Sequence, residues 1–212
     1  MRQFSLRPLK RILCVGAHSD DIEIGCGGTL LRLTQEHPGL EITWVVFSGG
    51  GVRTTEANAS ARDFLKRAGK SHVIVKNFKT SYVPVQLEEI KDFFETLKPF
   101  KPDVVFTHYR DDRHQDHRVL SDLAWNTFRS HVILEYEIPK YEGDLGHPNL
   151  YAPLATDDLK HKIDVLMECF PSQRTRSWFT EDTFRGLARL RGIECAAPSG
   201  FAEAFHARKV CL

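Results

Sequence analysis

Two short runs of the chain hold residues whose types and spacing could do chemistry. One is Ala17-His18-Ser19-Asp20-Asp21; the other is His114-Gln115-Asp116-His117. Imidazole and carboxylate together are ligands for a hard or borderline divalent metal such as zinc. His18 and Asp21 stand three residues apart, close enough for both to reach one ion. His114 and His117 share that spacing, which puts them on one face if they begin a helix. Asp20 and Asp21 are neighbours whose side chains tend to point apart, so one can ligate while the other stays free to move a proton. Asp116 is placed to hold an imidazole by a hydrogen bond, the arrangement that sets a histidine's tautomer. Taken singly, each residue has a plainer reading. A histidine after a strand is commonly a surface or capping residue, and an aspartate before a helix is commonly an N-cap. Two such clusters at corresponding strand ends point instead to a metal site. The spacing alone leaves open whether His114 or His117 is the ligand.

The elements around these runs must bring them together. Residues 11–17 read as a buried strand that empties into the first cluster. Gly25, Gly27 and Gly28 then read as a turn, followed by a short helix carrying Leu30, Leu31 and Leu33 and stopping near 37–39. Residues 41–47 form a second, continuously apolar strand ending in Ser48-Gly49-Gly50-Gly51. A helix capped by Thr54 or Thr55 carries Ala57, Ala61, Phe64 and Leu65, ending at Gly69. A short strand at 72–75 precedes an amphipathic helix at 85–97, stopped by Pro99 and Pro102. Residues 103–107 are the strand before the second cluster. A helix at 119–128, a strand at 132–136, a loop-like stretch at 139–153 and helices at 159–170 and 180–190 follow, with a last strand or tail at 202–210. Strands alternating with helices predict a Rossmann-like three-layer α/β/α fold with a mostly parallel sheet, and a single domain over 1–212. Both clusters then lie at the carboxyl rim of that sheet, where open α/β sheets build their sites. The glycines do not read as a dinucleotide loop, because His18 and two carboxylates stand where a phosphate needs bare backbone N–H groups.

Composition narrows the class. The 29 basic against 28 acidic side chains give no electrostatic footprint for nucleic acid or an anionic membrane. Five scattered cysteines (Cys14, Cys26, Cys169, Cys195, Cys211) form no C-x-x-C pair and read as reduced thiols. The first residues are too polar for a signal peptide, and no apolar stretch reaches membrane-spanning length. The expected location is cytoplasmic. A homo-oligomer is compatible with the sequence, which says nothing further about assembly.

These motifs carry a family resemblance. Ala17-His18-Ser19-Asp20-Asp21, followed by an acid, glycines and a helix, together with His114-x-Asp116-His117, resembles the PIG-L/LmbE family of zinc-dependent N-deacetylases. That family includes the deacetylases of GlcNAc-phosphatidylinositol, of mycothiol and bacillithiol biosynthesis, and of some glycopeptide antibiotics. Its first motif normally reads A-H-P-D-D, so Ser19 replaces a proline without removing a functional group. Arg53-x-x-Glu56-Ala57 matches a weaker family pattern, and the resemblance covers most of the first 130 residues. It implies one zinc per chain held by His18, Asp21 and His117, with Asp20 as general base. It further implies His114 as the protonated partner of the oxyanion or leaving amine, and Asp116 as the group orienting a neighbouring histidine. Two departures concern the rest of the pocket. Asp112 stands where the mycothiol-type enzymes have a tyrosine, and Asn77-Phe78-Lys79-Thr80 offers no counterpart to a sugar-binding aspartate. Arg53, Arg110 and Asp111 flank loops at the active edge and are the candidate substrate contacts.

The expected activity is removal of an N-acetyl group from an N-acetylglucosamine-type amino sugar or its conjugate, by metal-activated water. Zinc chemistry suits an amide, a poor electrophile whose leaving amine needs a proton. Two alternatives remain: a metal-dependent phosphoester hydrolase, and a non-catalytic metal- or sugar-binding module. The first commonly uses two metals, and ligands for one site are apparent. The second would not need Asp20 and His114. The acceptor sugar and its attachment are not legible.

Overall fold

The computed structural model describes residues 8–210; Met1–Arg7 and Cys211–Leu212 lie outside them, and with them the leader reading and one thiol. The elements run β1 (Arg11–His18), α1 (Asp21–Glu36), β2 (Glu41–Ser48), α2 (Val52–Phe64), β3 (Lys70–Val75), α3 (Leu87–Leu97) and β4 (Val104–His108). They continue with α4 (Gln115–Thr127), β5 (Val132–Tyr136), β6 (Leu150–Pro153), α5 (Thr156–Cys169), α6 (Glu181–Glu194) and β7 (Ala202–Ala207). One sheet orders its strands β3-β2-β1-β4-β5-β7-β6. The first five in that order pair in parallel, and β7 pairs antiparallel with both β5 and β6. The fold is the expected mostly parallel α/β sheet.

The strands bury both faces, as parallel strands flanked by helices do. On β1, Ile12 and Cys14 face one core with Trp44, Phe64, Leu166 and Phe205. Leu13, Val15 and Ala17 face the other, with Phe47, Ile90, Phe94 and Leu120. Chain order leaves β1 for β2 on one side and returns to β4 on the other, so the topological switch falls between β1 and β4. The carboxyl ends of those two strands, His18 and His108, therefore open on one crevice.

The glycine-rich run is not a turn. Gly25, Gly27 and Gly28 lie inside α1, which starts at Asp21. A Cβ on Gly25 would stand 2.2 Å from the Tyr136 ring, on Gly27 2.7 Å from Phe64, and on Gly28 2.7 Å from Leu154. Close packing of the helix on three sides, which a local pattern does not reveal, takes the place of turn formation. The same helix is held from outside across one of its turns. Glu203 on β7 accepts from Gly28 N–H (2.9 Å) and Thr29 N–H (2.7 Å), while Lys162 on α5 donates to the Ile24 carbonyl (2.6 Å) and to Glu203 (2.6 Å).

Other boundaries move for local reasons. Helix α2 begins at Val52 after Gly51, whose φ of 61° suits glycine, so neither Thr54 nor Thr55 is its cap. A 3-10 turn at Val83–Gln86 precedes α3. Helix α4 starts at Gln115, not near Val119, because the His114 side chain accepts the Asp116 N–H as a cap. Within the loop-like stretch 139–153, Leu150–Pro153 pairs with β7 as β6. Cys14, Cys26, Cys169 and Cys195 are free thiols, and no described helix is long and apolar enough to cross a membrane.

Candidate metal centre

The crevice between β1 and β4 gathers the two sequence clusters. His18 ends β1, and the backbone N–H of His18 is accepted by Asp21 Oδ2 at 2.6 Å, which folds the loop back on itself. Two imidazole nitrogens and the two carboxylate oxygens of Asp21 then converge. His18 Nδ1 lies 3.1 Å from His117 Nε2 and 3.4 Å from Asp21 Oδ2, and His117 Nε2 lies 3.6 Å from Asp21 Oδ1. Tetrahedral zinc with bonds of about 2.0–2.1 Å sets its ligand atoms about 3.3 Å apart, a spacing each of these contacts approaches, with His18 meeting one Asp21 oxygen and His117 the other, so these residues fit such an ion.

Each of the two histidines has a carboxylate on its other nitrogen. Asp116 Oδ2 lies 3.2 Å from His18 Nε2, as the hydrogen-bonding reading of Asp116 expects. Asp116 is itself held by the backbone N–H groups of Ser81 (2.6 Å) and Val83 (3.3 Å). Asp112 Oδ2 accepts from His117 Nδ1 at 2.9 Å, and Asp112 Oδ1 accepts the His114 N–H at 2.8 Å. This role of Asp112 was not read from the sequence. Its signal was present, a carboxylate one helical turn and a cap before His117, but it was read only as a missing tyrosine.

His108 is a second residue that sequence reasoning missed. It is fully buried, stacks on His117 with ring centroids 3.9 Å apart, and lies 3.3 Å from Asp21 Oδ2. Its Nε2 accepts the Ala17 N–H at 2.9 Å. Two sets close enough to hold an ion occur among the described residues, the all-histidine His18–His114–His117 and the mixed Asp21–His108–His117, and they share His117. They describe one centre.

Burial and mutual charge set the protonation of the group. Burial works against charge on His18, but Asp21, Asp116 and Asp20 outweigh it and raise its pKa to about 10. Burial, with His108 alongside, pushes His117 down to about 3. Charged His18 and neutral His117 match their contact, in which His18 Nδ1–H donates to His117 Nε2 and His117 Nδ1–H donates to Asp112. Asp21 is held well below the carboxylate range, its burial outweighed by His117, His108 and His18. Asp20 is raised to about 7 by burial and by the neighbouring Asp21 charge. Its side chain makes no capping bond to α1, so its carboxylate is not spent as an N-cap. Burial and the His18 charge lower His114. Because His114 Nδ1 accepts the Asp116 N–H at 3.2 Å, the ring is neutral in this arrangement and carries its proton on Nε2.

The sequence model of the PIG-L family, described as GlcNAc-PI de-N-acetylase, matches residues 13–128, just over half of the chain and the whole of this cluster. The chain belongs to the PIG-L family. Membership makes it a deacetylase-type hydrolase of amide bonds. The Escherichia coli K12 protein YaiS, named an uncharacterized deacetylase, is 34% identical over 140 residues, covering 61% of this chain and 75% of that protein. Diacetylchitobiose deacetylase of Thermococcus kodakarensis is 24% identical over 124 residues, covering 52% of this chain and 46% of that one. Among solved structures, N,N'-diacetylchitobiose deacetylase from Pyrococcus horikoshii has a TM-score of 0.72 at 24% identity, covering 96% of this chain and 86% of that one. GalB, the 4-carboxy-2-hydroxymuconate hydratase of Pseudomonas putida, has a TM-score of 0.76 at 16% identity, covering 96% and 98%. These structures share the PIG-L chain's fold, and with a hydratase among them the fold by itself does not name the reaction.

The three candidate substrate contacts of this PIG-L chain differ in their surroundings. Arg53 lies in the first turn of α2, near enough for its charge to act on Asp20. Arg110 is committed elsewhere: its Nε bonds Glu135 at 3.2 Å and its guanidinium lies 4.9 Å over the Trp125 ring. Asp111 is exposed and lies 3.5 Å from Arg208.

Proposed function

We propose that the chain is a zinc-dependent deacetylase that removes the acetyl group from an N-acetylglucosamine-type amino sugar or its conjugate. The observation that carries this reading is the convergence of His18 Nδ1, Asp21 and His117 Nε2 at 3.1–3.6 Å, with a carboxylate behind each imidazole. These three residues would hold the ion, one per chain. A divalent zinc in that position supplies polarisation of the amide carbonyl and a water acidic near pH 7.

The chain's own residues do the rest. Asp20 is buried and uncommitted to capping, which leaves its carboxylate free to act as the general base. His114 presents Nε2–H toward the side of the centre opposite its cap bond. There it donates a hydrogen bond to the developing oxyanion; delivering a proton to the leaving amine would require Nδ1 to be protonated and its cap bond to Asp116 given up. Asp116 and Asp112 keep His18 and His117 in the tautomers that leave Nδ1 and Nε2, respectively, free to ligate. The amino-sugar substrate class is drawn from the family description and from the diacetylchitobiose deacetylases among the relatives. A two-metal phosphoesterase is disfavoured because the two ligand sets among the described residues share His117.

The test is acetate release from a panel of N-acetylglucosaminyl compounds by zinc-loaded protein, with a chelated control. Chelator-sensitive release on one or more members is expected. Asp20→Asn should keep one zinc per chain and lose turnover by about 10²–10⁴-fold; a fully active Asp20→Asn protein refutes the mechanism.

A further inference from the structure

The segment 137–149, between β5 and β6, supplies no residue to the metal cluster, yet a buried ammonium ties it there. Lys140 Nζ forms an ion pair with Asp112 Oδ2 at 3.0 Å and donates to Asp144 at 2.7–2.8 Å, with the Ile138 carbonyl at 3.5 Å. The ammonium thus stands between the carboxylates of Asp112 and Asp144. The side chains of Lys140 and Asp144 are each 7% exposed and that of Asp112 is 3% exposed. Asp112 Oδ2 is also the oxygen that accepts His117 Nδ1–H. Asp144 in turn accepts the Arg113 N–H at 2.6 Å. The segment therefore grips residues 112 and 113, immediately before His114, through one cation and one carboxylate.

We propose that Lys140 is a positioning residue for His117, fixing the carboxylate of Asp112 on the far nitrogen of that metal-binding ring. The inference rests on the metal-hydrolase reading above. The physical argument is a balance of charge. With the ammonium present, two buried carboxylates share one cation and Asp112 can keep its oxygen on His117. Without it, Asp112 and Asp144 are like charges held close in a poorly solvated place, and Asp112 turns away. His117 then loses the acceptor of its Nδ1–H, and the ring is left oriented only by the His18 Nδ1–H donation to its Nε2, which metal binding removes. A lysine that only pinned the segment would leave the His117 ring unaffected.

The experiment compares the parent, Lys140→Met and Lys140→Arg. Zinc affinity is measured by chelator competition, and the His117 ring nitrogens of the metal-free proteins are observed by NMR. Lys140→Met should weaken zinc binding about 10–100-fold, the range for losing an outer partner of a ligand. It should also shift the His117 Nδ1–H signal to that of a weakly hydrogen-bonded proton, and lower kcat with KM unchanged. Lys140→Arg, which keeps the charge and the donors, should recover most of both. Parent-like zinc affinity and an unchanged His117 signal in a folded Lys140→Met protein overturn the proposal. If that variant does not fold, Asp144→Asn loosens the same clamp and should show a smaller loss of zinc affinity; parent-like affinity there overturns it equally. A parent that binds no zinc sinks the metal reading, while the His117 ring comparison still decides the role of Lys140.

Discussion

Metal binding by this chain should release protons, and the structure gives the count. His18 is raised to about 10 because Asp21, Asp116 and Asp20 surround it, so at pH 7 the ring carries a proton on the Nδ1 atom that must ligate. That proton must leave. Displacing it at pH 7 opposes binding by about three decades, or about 4 kcal/mol at 1.36 kcal/mol per pH unit. Asp20, raised to about 7, is about half protonated at pH 7 and loses that fraction when a cation arrives beside it. The sign is therefore fixed: affinity rises with pH, by about one decade per unit between about pH 7.5 and 9.5, and more steeply below pH 7, where Asp20 adds its proton. Above about pH 10 the His18 contribution vanishes. Titration calorimetry with zinc in buffers of different ionisation enthalpy reads the count directly. The expected release is at least one proton per zinc at pH 8 and near two at pH 6. Fewer than about half a proton at pH 8 would refute the assignment of His18 Nδ1 as a ligand that is charged before the metal binds.

Glu203→Gln should destabilise the fold by about 3–5 kcal/mol in urea unfolding, because it leaves the Lys162 ammonium buried without its counter-charge and weakens the hold on Gly28 and Thr29. A loss under about 1 kcal/mol would show that the helix does not depend on that pair. Gly25→Ala places a Cβ 2.2 Å from the Tyr136 ring, whose hydroxyl donates to the Val15 carbonyl at 2.6 Å and sits 3.3 Å from His108. It should cost about 1–3 kcal/mol of stability and also weaken zinc binding, since the displaced ring supports β1 just before His18; unchanged zinc affinity in the folded variant counts against that link.

The sequence placed His18, Asp20, Asp21, His114, Asp116 and His117 on one rim because their strands are legible. Buried parallel strands are continuous apolar runs, and each cluster directly follows one. What escaped reading depends on contacts between distant parts of the chain. Gly25, Gly27 and Gly28 carry the local signature of a turn, yet they serve a helix pressed against Tyr136, Phe64 and Leu154. Nothing in eighteen consecutive residues announces a tyrosine that arrives more than a hundred positions later. His108 ends a strand whose run of apolar residues was recognised, but its role is set by the stack on His117 and the contact with Asp21, which exist only after β1 and β4 pair.

Asp112 is the instructive case. In the motif it occupies a position at which related enzymes present a tyrosine, so it reads as a lost substrate contact. In the fold the same carboxylate closes a chain from Lys140 through Asp112 to His117 and sets the tautomer of a metal-binding ring. Reading a motif by what it lacks misses what the replacement does, and only the position of the third partner, Lys140, turns an apparent departure into a working part of the centre. The departure and the distant lysine must therefore act together. Asp112→Asn should reproduce the Lys140→Met loss of zinc affinity, and the double variant should lose little more than Asp112→Asn alone, because both act through one hydrogen bond. Fully additive losses would mean that the lysine and the aspartate serve the centre separately.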